Sequence, residues 1–318
     1  QLTVAARALE VPSRFSATRQ TVDSLKILTS FKPSNSQMKH LLLTRFQGAL
    51  IGGNIIYLDR HQITPNQLIL DTNPTLISKI NSLIDHGKFE PQDWLQYVFA
   101  DISNSEQVIV AMLPLMLFFH DDRIKLRQVL INISHGWQLD WETCSSAVAI
   151  GYIISRSLTE SFNPRTIISQ LLDEMTNLHP LVFQELSTLD RLLDRASSLH
   201  QITQRLATTP HPIVTSTILA IYCFLSTPED FSLATHRVAR IEDQSQLTCA
   251  LTGMLAGAHN SLTGMPLNGY IATQERAQWL SLAQRLLSAW AGVDLQHGSS
   301  SHTYLLAVAS PQVIQRRG

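Results

Sequence analysis

Apolar residues recur at helical spacing along most of this chain, and in several places glycine or alanine falls into the same pattern. Leu41, Leu42, Phe46 and Leu50 mark one helix face, and Gly48, Gly52 and Gly53 punctuate the end of that pattern. Glycine costs helix propensity, so close helix packing or site geometry is the expected reason for it here. Trp141 to Leu158 repeats the theme, with Ala147, Ala149 and Gly151 giving a small-residue face, and Leu247 to Ala258 is rich in Ala, Gly and Thr. A chain written this way is constrained to pack helix on helix.

The rest of the chain agrees with an all-α fold, a compact multi-helix bundle. Pro74 to His86 carries Leu76, Ile77, Ile80, Leu83 and Ile84 on one face and stops at Gly87. Glu90-Pro91-Gln92-Asp93 opens a further helix through Trp94, Tyr97 and Val98. Val108 to Phe119 is apolar on nearly all sides and predicts a central helix. His120-Asp121-Asp122 then reads as a solvated connection with an N-cap before a helix from Ile124 to Ile133. Asn163-Pro164 is expected to cap Arg165 to Leu178. Phe183 to Leu206 reads as a long amphipathic helix or two. Ile213 to Leu225, Phe231 to Arg240 and Gln274 to Ala291 complete the set, and only Tyr304 to Val308 hints at a strand. The expected organisation is a peripheral N-terminal segment at 1–37, a helical domain at 38–292, and a tail at 293–318 that is Gly/Ser-rich at its start.

Composition excludes several classes of function. Net charge is −1 and no basic stripe is visible, so a nucleic-acid partner is not expected. Only 15% of residues are charged, against about 25% in ordinary soluble domains. Either a protein partner covers part of the surface, or the polar demand is met by Gln and Ser. The longest apolar run contains Pro114 and falls short of the about 20 residues that span a bilayer. Cys144, Cys223 and Cys249 sit far apart in apolar helical patterns and read as buried free thiols, which fits a cytoplasmic protein. The chain opens on Gln1, which leaves room for a cleaved targeting peptide. Phosphate-loop, dinucleotide, nucleophile-elbow and paired-histidine zinc patterns are all absent from the sequence.

Three stretches, in order, resemble the ADP-ribosylglycohydrolase family over about residues 40–292. The first is Arg45-Phe46-Gln47-Gly48-Ala49-Leu50-Ile51-Gly52. The second includes Ser82-Leu83-Ile84-Asp85-His86-Gly87-Lys88-Phe89-Glu90-Pro91-Gln92-Asp93, with Ser134-His135-Gly136 further on. The third joins Ala220-Ile221-Tyr222-Cys223-Phe224-Leu225, Asp230-Phe231-Ser232-Leu233-Ala234, and Thr252-Gly253-Met254-Leu255-Ala256-Gly257-Ala258. The resemblance implies an enzyme that holds two magnesium ions with a ring of carboxylates.

Most of those carboxylates are missing at the matching places. Ile56-Tyr57-Leu58 stands where the family carries Gly-Asp-Ala. Asp71, within one position, is what remains of a Thr-Asp-Asp-Thr motif, and Thr72-Asn73 follow it. Glu242-Asp243-Gln244-Ser245-Gln246 stands where the family carries Gly-Gly-Asp-Thr-Asp-Thr. Hard divalent cations want charged oxygen ligands, and a glutamine carbonyl supplies oxygen without charge. Losing several carboxylates from one site removes the template and the polarised water of two-metal catalysis.

The expected function is therefore a catalytically inactive relative acting as a binding, regulatory or structural subunit. No cofactor is expected, and the partner is a protein of unknown identity. One alternative is a metal-dependent hydrolase of ADP-ribosylated substrates with a rewired magnesium site built from Asp71, Glu242, Asp243 and His135. Another is a sensor of ADP-ribose or a similar nucleotide, held through Asn54, Gln244, Ser245 and Gln246. His135 itself is expected to be a buried, hydrogen-bonded structural residue.

Overall fold

The computed structural model describes residues 42–54, 74–95, 108–175, 177–241, 246–265 and 273–292. Every regular element among them is a helix, in the order α1 (Leu42–Asn54), α2 (Pro74–His86), α3 (Pro91–Leu95), α4 (Val108–Ala111), α5 (Leu113–Phe118), α6 (Arg123–Gly136), α7 (Trp141–Leu158), α8 (Ile167–Glu174), α9 (Pro180–Asp194), α10 (Leu199–Leu206), α11 (Pro212–Leu225), α12 (Phe231–Val238), α13 (Gln246–Asn260) and α14 (Thr273–Ala291). The expected terminal segments and the strand hint at Tyr304 lie outside the described residues.

The glycines of the sequence pattern sit where two helices cross. A Cβ on Gly52 would fall on the carbonyl oxygen of Gly253, and one on Gly48 would fall on that of Gly257. The reverse holds from the other helix, so both members of each pair must be glycine. At this crossing α1 and α13 run antiparallel with backbone against backbone, the geometry in which Cα–H groups face carbonyl oxygens. It is the most extensive helix pair in the described fold.

Most starts and stops follow from capping chemistry. Asp122 accepts from the Lys125 amide at 3.0 Å, Asp140 from Thr143 at 2.6 Å and Asp230 from Leu233 at 2.9 Å. Ser198 and Gln201 form a reciprocal capping box at the start of α10. Ala196 takes a φ of 51°, and with this box it divides the 183–206 stretch into two helices.

Three expectations need correction. The central helix breaks at Met112, because Pro114 has no amide to continue the ladder; Val108 to His120 is nonetheless buried throughout. His120 is not part of a solvated connection. It is 3% exposed, its Nδ1 lies 2.7 Å from the Leu117 carbonyl, and its ring meets Phe46 edge-on. The helix expected from Arg165 to Leu178 is shorter, Ile167–Glu174, because Asn163 caps a turn rather than the helix itself.

The short α3 is held by polar contacts from buried side chains. The Lys79 amine, fully buried on α2, donates to the carbonyls of Asp93 and Trp94, both at 2.9 Å. Trp137 Nε1 also donates to the Trp94 carbonyl at 2.9 Å, and the two indoles stack. The three cysteines are buried thiols, as their apolar context implies.

Candidate functional site

Side-chain contacts fix which helix ends lie together. The glycine pairs place the end of α1 beside the start of α13. Asn260 Nδ2 donates to the Pro228 carbonyl at 2.7 Å, which puts the end of α13 beside the end of α11. His211 Nε2 lies 3.4 Å from Asp140 Oδ2, which puts the starts of α11 and α7 together. Arg45, early in α1, donates to the Ser157 carbonyl near the end of α7. One end of the bundle therefore collects the first turns of α7, α11 and α13 and the last turn of α1.

That end carries Asn54, Gln246 and His135. Asn54 is 4% exposed; its amide nitrogen donates to the Leu50 carbonyl at 2.5 Å and its Oδ1 has no hydrogen-bond partner among the described residues. Gln246 opens α13 and is exposed. Among the described residues none of these three side chains hydrogen-bonds another. Asp71, Glu242, Asp243, Gln244 and Ser245 lie outside the described residues. His135 is not the buried residue expected: it is exposed in the last turn of α6, on the wall of a cavity.

That cavity has a volume of about 340 Å³. Arg127, Ser134 and His135 line it from α6, and Trp141, Cys144 and Ser145 from α7. Met175, Asn177 and Leu178 close it from the connection to α9. The lining mixes an apolar wall with a few placed polar groups, the usual build of a small-molecule site. Burial pushes the Cys144 thiol pKa up, so this is an inert sulfur rather than a nucleophile.

Beside the cavity stands a cluster that sequence reasoning missed. Asp140, Glu142 and His211 each bring one donor atom to within 4.8 Å of the others. His179 Nε2 lies 3.5 Å from Glu142 Oε1. The His179 Nδ1 accepts from the Leu181 amide at 3.2 Å, which leaves Nε2 to carry the ring proton. Burial raises the Asp140 pKa, but the Thr143 amide and hydroxyl together with His211 outweigh it and hold the carboxyl below its usual range. No local signal could have found this group, since Asp140 and Glu142 come from the start of α7, His211 from that of α11 and His179 from that of α9.

Comparison with known proteins bears on the fold and the family. The family model for ADP-ribosylglycohydrolase matches residues 60–295, well over half of the chain. The chain belongs to the ADP-ribosylglycohydrolase family. No curated protein matches it. A solved structure described as an "ADP-ribosylglycohydrolase-related protein complex" shares the fold, with a TM-score of 0.56 and 13% identity over 77% of this chain and 97% of that one. The family match begins after α1, so the first resembling stretch, Arg45 to Gly52, lies outside it; α1 is tied to the family region by the glycine crossing instead.

The resemblance implies magnesium held by the segments at 56–58, 71–73 and 242–246, of which the described residues include only Gln246. Asn54 and Gln246 offer neutral carbonyl oxygens, and Asn54 is shut away from solvent. The carboxylates of Asp140 and Glu142 face His211 and His179. No helix among the described residues is long and apolar enough to cross a membrane.

Proposed function

We propose that this chain is a catalytically inactive member of the ADP-ribosylglycohydrolase family, working as a binding, regulatory or structural subunit. The observation that carries this reading is the chemistry at the end of α1 and the start of α13. Asn54 and Gln246 bring oxygen without charge to the places where the family's metal-holding segments join the bundle. In sequence, Ile56-Tyr57, Thr72-Asn73 and Gln244 continue the same loss, and Asp71, Glu242 and Asp243 are the acids that remain nearby. Two divalent ions held by so little charge would be too weakly bound to activate water. The low charge of the whole chain supports a surface covered by a protein partner. The related structure, itself described as a complex, is in keeping with that.

The test is release of ADP-ribose from ADP-ribosylated protein in the presence of magnesium. The expected result is no release above the protein-free control. Turnover that disappears in Asp71→Ala overturns the reading in favour of a rewired hydrolase.

One observation favours a ligand-sensing version of the same role. The cavity beside α7 presents Arg127 and His135 on one wall and the Trp141 ring on another. Cation, imidazole and indole together suit an aromatic anion of the ADP-ribose or AMP type. A rise in melting temperature with ADP-ribose or AMP, lost in Arg127→Ala, is the expected outcome for that version. The same rise in Arg127→Ala, or none in the wild type, rules this cavity out as the sensor.

A further inference from the structure

We propose that the cavity between α6 and α7 binds a small arylalkanoate, an aromatic ring on a short chain that ends in one carboxylate, with the carboxylate paired to Arg127. The nucleotide of the ligand-sensing version above is the rival for the same space. The proposal does not depend on whether the chain turns over ADP-ribose.

Charge decides where the head of the ligand sits. Arg127 is half-buried on the cavity wall, and among the described residues it makes no hydrogen bond or ion pair. A guanidinium in that state offers a planar fork that matches a carboxylate. His135, the other basic group of the wall, lies further along α6, about 12 Å away by helical rise. The two therefore do not clasp one headgroup. The neighbouring acids Asp140 and Glu142 stand at the His135 end, at the start of α7. One cation at one end and carboxylates at the other orient a singly charged ligand. A phosphate, with about −1.5 to −2 of charge near pH 7, would be left half neutralised by Arg127.

The space between those ends sets the body of the ligand. It is walled by Ile131, Leu139, Val148, Met175 and Leu178, of which the last three are buried. The polar atoms within reach are largely spent. The Ser134 hydroxyl donates to the Leu130 carbonyl and Ser145 Oγ accepts from the His179 amide, both at 2.8 Å. The hydroxyls of a ribose would find few partners here, and burying them unpaired is costly. An aromatic ring has no such demand, and the Trp141 indole, 53% exposed, presents a surface for it to stack on. The volume of about 340 Å³ is near the lower end of the about 300–1,000 Å³ usual for ligand sites. That suits a ring and a short chain rather than the two riboses of ADP-ribose.

Calorimetric titration of the full chain with 4-phenylbutyrate and 3-indolepropionate tests this, with their methyl esters and AMP as comparators. The expected result is one equivalent of acid bound at submillimolar concentration. The esters should bind at least about tenfold more weakly, the loss that goes with removing a hydrogen bond to a charged group. Arg127→Ala should weaken the acids to the same degree and leave the esters unchanged. Ile131→Trp, which puts an indole into the cavity from its half-buried wall, should abolish binding of both. Both variants should fold, as circular dichroism will show; if Ile131→Trp does not, the comparison of acid and ester in Arg127→Ala decides alone. Absence of binding by both acids overturns the proposal. So does acid binding that Arg127→Ala leaves unchanged, and so does AMP binding tighter than that of the acids. Magnesium-dependent ADP-ribose release would contradict only the inactive-enzyme reading and leave this site standing.

Discussion

The α1–α13 crossing and the end of the bundle where α7 and α11 begin are built in opposite ways. The crossing works by removing side chains. Gly48, Gly52, Gly253 and Gly257 let two backbones touch, and no atom there is free to move aside. The α7–α11 end works by gathering side chains that ionise, around a cavity of about 340 Å³. The first region locks one arrangement of the family fold. The second can change its residues without losing that arrangement, because its groups are cap residues and cavity walls. This difference shows how side chains at one end of a helical bundle can change while the helix arrangement is kept.

Substitutions measure how unequal the two regions are. Gly253→Val should have the largest effect. Its side chain would meet the backbone of Gly52, and overpacking of even yielding cores costs about 1–3 kcal/mol. We expect a loss of at least about 3 kcal/mol in urea unfolding, the top of that range, or no folded protein. Wild-type stability in Gly253→Val would mean that the crossing is not rigid.

Lys79→Met tests whether buried polar groups are equally fixed. It strips the Asp93 carbonyl of its donor and should cost about 1–3 kcal/mol. It should also alter the response to pH. Burial pushes the Lys79 pKa down to about 8 from 10.5, with Asp93 pulling partly the other way. Between those values the unfolded chain binds more protons, so wild-type stability should climb as pH rises from about 8. The variant should lose that slope.

At the α7–α11 end the effects should be smaller. Asp140→Ala removes a helix cap and should cost about 1 kcal/mol, while Asp140→Asn keeps the cap and should be close to neutral. The depressed Asp140 carboxyl contributes stability above its ordinary value of 3.8, lost as pH falls through the lower folded value. Asp140→Asn should flatten that acid limb. A cost as large as that of Gly253→Val would erase the contrast between the regions.

Gly151→Ala is the smallest expected change. Its Cβ would come nearest the Leu130 Cδ1 at 2.9 Å, the tip of a flexible side chain, with Met116 Cγ at 3.4 Å in ordinary contact. Alanine gains about 0.5–1 kcal/mol in a helix interior, so the net should lie within about 0.5 kcal/mol of zero in the same urea experiment.

The fold was legible where one helix face repeats. Leu76, Ile80 and Leu83 are fully buried, as their spacing requires. It was less legible where a single residue breaks a run, as Pro114 does behind Met112 and Ala196 does ahead of Ser198. The glycine pattern announced close packing but not its partner, because Gly52 meets Gly253 across most of the chain. At the site, residue type misled about His135. Its neighbours Ser134 and Trp137 are buried, yet its own position in the last turn of α6 faces out. Asp140, Glu142 and His211 were invisible, since each reads locally as an ordinary helix-start residue and only the parallel packing of α7 and α11 joins them.

On the proposed reading, the family fold persists here without the charge that held its metals. A calorimetric titration of the full chain with magnesium, taken to millimolar concentration in wild type and Asp71→Ala, separates that reading from a working metal site. No saturable binding is expected in either. One or two equivalents bound by the wild type and lost in Asp71→Ala would contradict it.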